Sequence, residues 1–250
     1  MVRAPALLAL GPRRAAALVA LLVALAAWDA YADRLPAVSD GWDVALVAVF
    51  VFPATFVVAW LLLPLAGERR LLEAALLTGA LAALFDLVGA DGFFNVAKLV
   101  GFCLFGFWFV QMLEALAWIV LVAVVVPWVD VVSVYRGPTK IVVEEQPGLF
   151  ERIAVAFAVP GEDSAARLGP PDIIFFALFL AAAARYGLRV RATWLGMAGA
   201  LSATLLLTYA LDLNGLPALP AISLGFLVPN ADLLWRSLRA EGRGTRRAPP

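Results

Sequence analysis

The sequence predicts an all-α polytopic membrane protein of about eight transmembrane helices, with one small β-containing loop. Three observations predict it. The chain is 64% hydrophobic with a mean hydropathy of +0.93, outside the range of a soluble domain. Its apolar runs approach the ~20 residues needed to cross a ~30 Å hydrocarbon core. The only sizeable polar stretch, 136–170, holds β-branched residues in strand-like order.

The elements follow in chain order. The first span is 14–31. Its Arg13-Arg14 pair, its AAALVALLVALAAW run and the AYA before Asp33 also fit a secretory signal peptide, although an uncleaved span is the usual state in a polytopic chain. Spans at 43–65 and 70–90 come next. Residues 93–135 are too long for one crossing and divide into 93–111 and 114–135, although no Gly or Pro marks the turn near Gln111–Glu114. The loop 136–170 contains TKIVVEEQ (139–146), with strand character, RIAVAFAV (152–159), a second strand or a short interfacial helix, and PGEDSAA (160–166), a turn or loop. The last spans are 171–185, 191–211 and 217–235, followed by the basic tail RAEGRGTRRAPP, read as disordered. These divide into N-terminal helices over 1–112, a second group of four spans over 113–236 and the tail 237–250.

With eight spans, the arginines at 3, 13, 14, 69, 70, 185, 189, 191 and in the tail fall on one side. Both termini are therefore expected in the cytoplasm. The Arg- and Ala-rich composition reads as a GC-rich coding bias, hence a bacterial plasma membrane. Formal net charge is zero, so no basic surface invites nucleic acid. Histidine is absent and Cys103 is the only cysteine. That excludes His-built metal sites, Ser–His and Cys–His nucleophiles and disulfides within the chain. No metal and no cofactor is expected.

Ionisable groups at membrane depth are functional candidates. They are Glu73, Asp86, Lys98, Glu114, Asp130 and Asp172. Glu73 and Glu114 lie at span ends. Asp86 and Lys98 sit near the same surface on neighbouring spans and are placed to pair. Asp130 is six residues before Arg136, or ~9 Å along a helix. Asp172 lies 13 residues from Arg185, ~20 Å in a ~30 Å core. The two carboxylates are therefore expected at one level. The last span opens with LPALP at 216–220, and from Ala221 to Trp235 is again too short to cross alone. Irregular backbone at that level must be buried in protein or line a wet cavity. Pro127 is expected to kink the Asp130 helix against the Ala123 carbonyl. Each feature has a plainer reading. Pro-Pro-Asp is a good helix start, Asp130 can pair with Lys98 or a backbone group, and PALP can simply begin a helix.

Together, Asp130 in VPWVDVVSVYRGP, Asp172 in LGPPD and the LPALP segment resemble the presenilin and signal peptide peptidase family of GxGD-type intramembrane aspartyl proteases. The similarity covers about 114–236; the four N-terminal spans match no part of that pattern. The resemblance implies a presenilin-like fold with Asp130 and Asp172 as the catalytic pair. Gly169, Pro171, Pro217, Ala218, Leu219 and Pro220 would line the site. The substrates would be transmembrane segments of other proteins within the lipid bilayer, and the 139–146 strand would pair with the unwound substrate. The inferred orientation resembles signal peptide peptidase more than presenilin. Val129 stands where the family has tyrosine, Pro171 where it has its second glycine, and eight spans replace nine. Alternatives are a proton-coupled transporter, and a catalytically impaired relative that binds membrane helices. The oligomeric state and the substrate's identity are left open.

Overall fold

The computed structural model describes residues 10–37, 39–136, 152–161, 165–213 and 216–245. The strand expected at 139–146 lies outside them. Eight helices are present among the described residues: α1 (Pro12–Tyr31), α2 (Asp40–Gly67), α3 (Leu71–Leu87), α4 (Asp91–Met112), α5 (Leu116–Arg136), α6 (Pro170–Arg185), α7 (Val190–Ala210) and α8 (Leu219–Thr245). A two-stranded antiparallel sheet, β1 (Val155–Ala158) and β2 (Ala165–Leu168), precedes α6. Five helical segments are long and apolar enough to cross a membrane: Pro12–Arg34, Asp40–Gly67, Asp91–Met112, Leu116–Val134 and Val190–Ala210. Together these are the features of an all-α membrane protein.

Several elements have local causes. Pro53 lacks an N–H to continue the ladder, and the turn just before it, Val47–Val51, widens to π geometry. Thr55, fully buried, returns its hydroxyl to the Val51 carbonyl at 2.8 Å. The helix of Asp130 continues through Pro127 to Arg136.

The break between α4 and α5 has no Gly or Pro, and tertiary contacts explain it. The Val110 carbonyl accepts from Arg185 Nη1 at 2.7 Å, and the Leu113 carbonyl accepts from the Tyr186 hydroxyl at 3.1 Å. Gln111 Nε2 donates to the carbonyls of Ala66 and Glu68. Side chains thus satisfy the orphan carbonyls of a helix end.

The same contacts gather the end of α2, the end of α4 and the end of α6 at one end of the bundle. Arg14, at the start of α1, reaches the Trp60 carbonyl there, and Arg189 pairs with Asp232 at 2.6 Å. Arg14 and Arg185 thus lie at this end.

The short helix α6 is the centre of the bundle. Ile173 and the whole run Phe176–Ala183 are buried. Phe176 stacks on Phe56 of α2 (3.9 Å between centroids), and Phe179 on Phe226 of α8 (4.8 Å). Glycines admit the closest crossings: a Cβ on Gly106 of α4 would strike the Ile174 carbonyl, and one on Gly196 of α7 would meet the Gly225 carbonyl of α8 at 2.5 Å. Small residues at crossings replace the hydrophobic drive that lipid removes. By contrast α3 packs mainly on α4 and exposes Leu76, Leu77, Leu84 and Leu87.

Two boundaries differ from expectation. The last helix does not end at 236 but continues to Thr245, so the first part of the tail expected to be disordered is helical. Ala165 and Ala166, expected in a loop, open β2. Helix α1 is packed as a member of the bundle, with Leu18 and Ala26 buried.

Candidate active site

Asp172 is the third residue of α6, after Pro170 and Pro171. Neither proline costs a hydrogen bond, because the first N–H groups of a helix have no partner within it. The Gly169 N–H donates to Asp172 Oδ2 at 3.1 Å, and the Asp172 N–H donates to the Gly169 carbonyl at 3.1 Å. Asp172 is therefore the side-chain half of a capping box. Gly169 lies at φ −65°, ψ 149°, a conformation open to any residue. A Cβ there would meet Asp172 Oδ2 at 3.4 Å, an ordinary contact. Pro171 is exposed and stiffens the turn.

Asp130 lies near the end of α5. Its Oδ2 accepts the Leu219 N–H at 3.0 Å, with the Ala218 backbone acting on the same carboxylate. Leu219 is the first residue of α8, so Asp130 caps that helix from another one. Of the LPALP segment, Leu216, Pro217 and Ala218 are irregular, whereas Leu219 and Pro220 already belong to the first turn of α8. The irregular backbone is shorter than the motif suggested, because Pro220 fits the second position of a helix as well as a loop.

The positive ends of two helix dipoles thus meet two carboxylates. Asp172 caps α6, Asp130 caps α8, and the charge of Asp130 is felt at Asp172. A helix N-terminus favours negative charge by direct N–H donation and by its macrodipole. Both aspartates are partly buried. The plainer readings both have a counterpart here: Asp172 sits at a helix start, and Asp130 pairs with a backbone group rather than with Lys98. The Asp130 bond ties α5 to α8, whereas the Asp172 bond is internal to the start of α6.

Lys98 does not pair with Asp86, nor with Asp130. It is 8% exposed, and its ammonium donates to the carbonyls of Arg152 at 3.0 Å and Ala154 at 2.5 Å, with the Phe94 ring 4.0 Å away. Asp29 and Asp86 act on it only at longer range. The hairpin carbonyls reach it first because β1 lies against α4. Glu73 and Glu114 are exposed at helix ends, as their positions implied; Glu73 faces Arg70 at 3.8 Å.

The sequence reading passed over three groups on this side of the bundle. Asn95 Nδ2 donates to Asp29 Oδ2 at 3.0 Å while its Oδ1 accepts the Ala156 N–H at 3.2 Å. Trp28 Nε1 donates to the Ala158 carbonyl at 2.9 Å. Asp43, in the first turn of α2, is 4% exposed. The available signal was weak: an Asp or Asn near a span end looks like an ordinary boundary residue. The hairpin turn also rests on the α1 exit, where the Gly161 N–H donates to the Ala32 carbonyl at 3.1 Å.

Among the described residues, no cluster of three or more His, Cys, Asp or Glu is placed to hold a metal ion. Comparison with protein-family models, with curated proteins and with solved structures finds no match to this chain.

Proposed function

We propose that this chain is an intramembrane aspartic endopeptidase that hydrolyses peptide bonds in transmembrane helices of other proteins, with Asp130 and Asp172 as its catalytic pair. The observation that carries the reading is the coupling of these two acids across separate helices, each at the positive end of a helix. In the proposed cycle the ionised carboxylate takes a proton from water, which attacks the scissile carbonyl. The protonated carboxyl donates to that carbonyl oxygen as charge develops on it. The amine then leaves with a proton from the dyad. Neither a covalent intermediate nor a histidine is required.

The hairpin supports the substrate side of this reading. Backbone groups of Ala154, just before β1, and of Ala156 and Ala158 on β1 are engaged by Lys98, Asn95 and Trp28. An unwound substrate segment adding to the sheet therefore joins on the β2 side, the strand that runs directly into Gly169 and Asp172. The motif order of Asp130, Gly169, Asp172 and the 216–220 segment, similar to the presenilin and signal peptide peptidase pattern, favours the same activity. We further propose eight crossings with both termini cytoplasmic, because the arginine-rich helix ends share one end of the bundle, opposite the two aspartates. A bacterial plasma membrane is the setting that composition favours.

Pro171 favours one second reading, a relative that binds membrane helices without cutting them, since the turn before Asp172 is stiff. The deciding experiment is covalent labelling of the purified chain by a transition-state-analogue inhibitor of aspartic proteases, with cleavage of a reporter transmembrane peptide. The endopeptidase requires both signals, and their loss in Asp130→Ala and in Asp172→Ala separately. Binding of the reporter that survives both substitutions, without cleavage by the wild type, establishes the non-cutting relative. Solute uptake into proteoliposomes that depends on the same aspartates would identify a carrier instead.

A further inference from the structure

We infer that Lys98, with Asn95 and Trp28, is a positioning residue for Asp172, acting through the β-hairpin; the inference rests on the endopeptidase reading above. The chain of contacts is short and continuous. Lys98 Nζ holds the Ala154 carbonyl, and the next residue, Val155, pairs with Leu168 across the sheet. Leu168 precedes Gly169, whose N–H holds Asp172 Oδ2. An ammonium on α4 is thus separated from the carboxylate on α6 by one strand pair and two hydrogen bonds.

Two further bonds fix the same strand. Asn95 holds the Ala156 N–H and Trp28 the Ala158 carbonyl. Residues 156 and 158 alternate along β1 and residue 154 continues the alternation just before it, and alternate residues direct their backbone groups to the same side of a strand. The three side chains therefore occupy successive outward positions on β1, leaving Val155 and Phe157 to face β2. A slip of one residue would turn every one of these groups the wrong way. The clamp sets the register of β1, β1 sets β2, and β2 delivers the Gly169 N–H to Asp172.

The cost of the arrangement points the same way. A nearly buried ammonium is expensive unless hydrogen-bonded, and this one spends two donors on hairpin carbonyls rather than on a neighbouring carboxylate. Asp29, tied to Asn95 at 3.0 Å, orients the amide so that its oxygen faces the strand. The N-terminal helices α1 and α4, outside the stretch that carries the family resemblance, thereby contribute directly to the geometry of the aspartate pair.

The test uses the full chain in detergent micelles, with a transmembrane peptide substrate and hydrogen exchange read by mass spectrometry. Lys98→Met removes the donors at nearly constant length. Small misplacements at a reacting centre are costly in rate, so kcat should fall about 10-fold while KM moves less than about 2-fold. Exchange should quicken over 155–158 and 165–168 and stay unchanged in the buried turns of α4 and α6. Asn95→Asp, which faces Asp29 with a second carboxylate, should act in the same way, and adding Asp29→Asn should restore both readouts by exchanging donor and acceptor. Unchanged exchange in the hairpin overturns the proposal. So does exchange that rises evenly through the bundle, or a loosened hairpin with unaltered kcat. A wild-type chain that cuts no peptide overturns the endopeptidase reading, and with it the role toward catalysis; the exchange arm, which needs no substrate, separately decides whether Lys98 holds the hairpin.

Discussion

Asp130 on α5 accepts the backbone N–H of Leu219 at 3.0 Å, so one acid of the candidate pair also closes the N-terminus of α8. The two roles separate by substitution. Asp130→Ala leaves a partly buried N–H without its acceptor and should cost about 1–3 kcal/mol. Asp130→Asn keeps an acceptor oxygen and should lose less, while ending cleavage as completely as alanine does. Thermal denaturation in micelles beside a reporter-cleavage assay reads the difference. Equal melting losses for the two variants would show that the hydrogen bond is not what Asp130 contributes to stability.

Pro171→Gly tests the stiff turn. Pro171 is exposed at the second position of α6 and needs no N–H. Glycine there should cost about 0.4–1 kcal/mol by freeing the unfolded chain. Asp172 is held by the Gly169 amide rather than by residue 171, so cleavage should persist. A large gain in turnover would instead mean that the proline restrains the acid.

Gly169→Ala should be tolerated. The backbone is at φ −65°, and the nearest atom to an added Cβ is Asp172 Oδ2 at 3.4 Å. A melting temperature at or above wild type, with labelling by the transition-state analogue retained, is the expected result. Loss of labelling in a folded variant would show that this position needs space during the reaction rather than at rest.

Gly196→Ala should not be tolerated. The new Cβ would meet the Gly225 carbonyl at 2.5 Å, and neither backbone can yield without parting α7 from α8. Overpacking of this kind costs about 1–3 kcal/mol. A variant melting at the wild-type temperature would show that the two helices cross more loosely.

Asn230→Leu probes the opposite end of the bundle. Asn230 is fully buried; it donates to Thr193 Oγ1 at 2.7 Å and the Phe226 carbonyl at 2.8 Å, and accepts the Arg189 N–H at 2.9 Å. Removing it takes the partner from the buried Thr193 hydroxyl and from the Arg189 N–H, at about 1–3 kcal/mol each. Melting temperature should fall sharply, while the cleavage-site pattern of the remaining folded protein stays as in wild type. A shifted pattern would tie this latch to the aspartate pair.

Much of the bundle was legible in the chain because apolar length reports directly on helices in a hydrocarbon solvent. The expected spans fall on helices among the described residues, five of them long and apolar enough to cross a membrane, and the brevity of α6 was visible from the spacing of Asp172 and Arg185. The α4–α5 break was legible only by length, since its cause is the reach of Arg185, Tyr186 and Gln111 from elsewhere. Lys98 was legible as a buried charge but assigned to the wrong partner. Coulombic reasoning favours a nearby carboxylate, and nothing local reveals that the turn before β1, 54 residues away, supplies the Arg152 carbonyl at 3.0 Å. The extension of α8 to Thr245 was hidden by a polar, glycine-containing composition that reads as disorder.

The sequence by itself determined that this is a helical membrane chain without histidine chemistry, and that Asp130, Asp172 and the 216–220 segment are its unusual features. Those are properties of composition and spacing, which a helix of fixed rise converts into depth. Only the tertiary structure decided how the features meet: Asp130 on the α8 amides, and α1 and α4 against the hairpin. Hydrogen bonds between residues far apart in the chain depend on which faces pack together, and that is a choice made by the whole bundle rather than by any one helix.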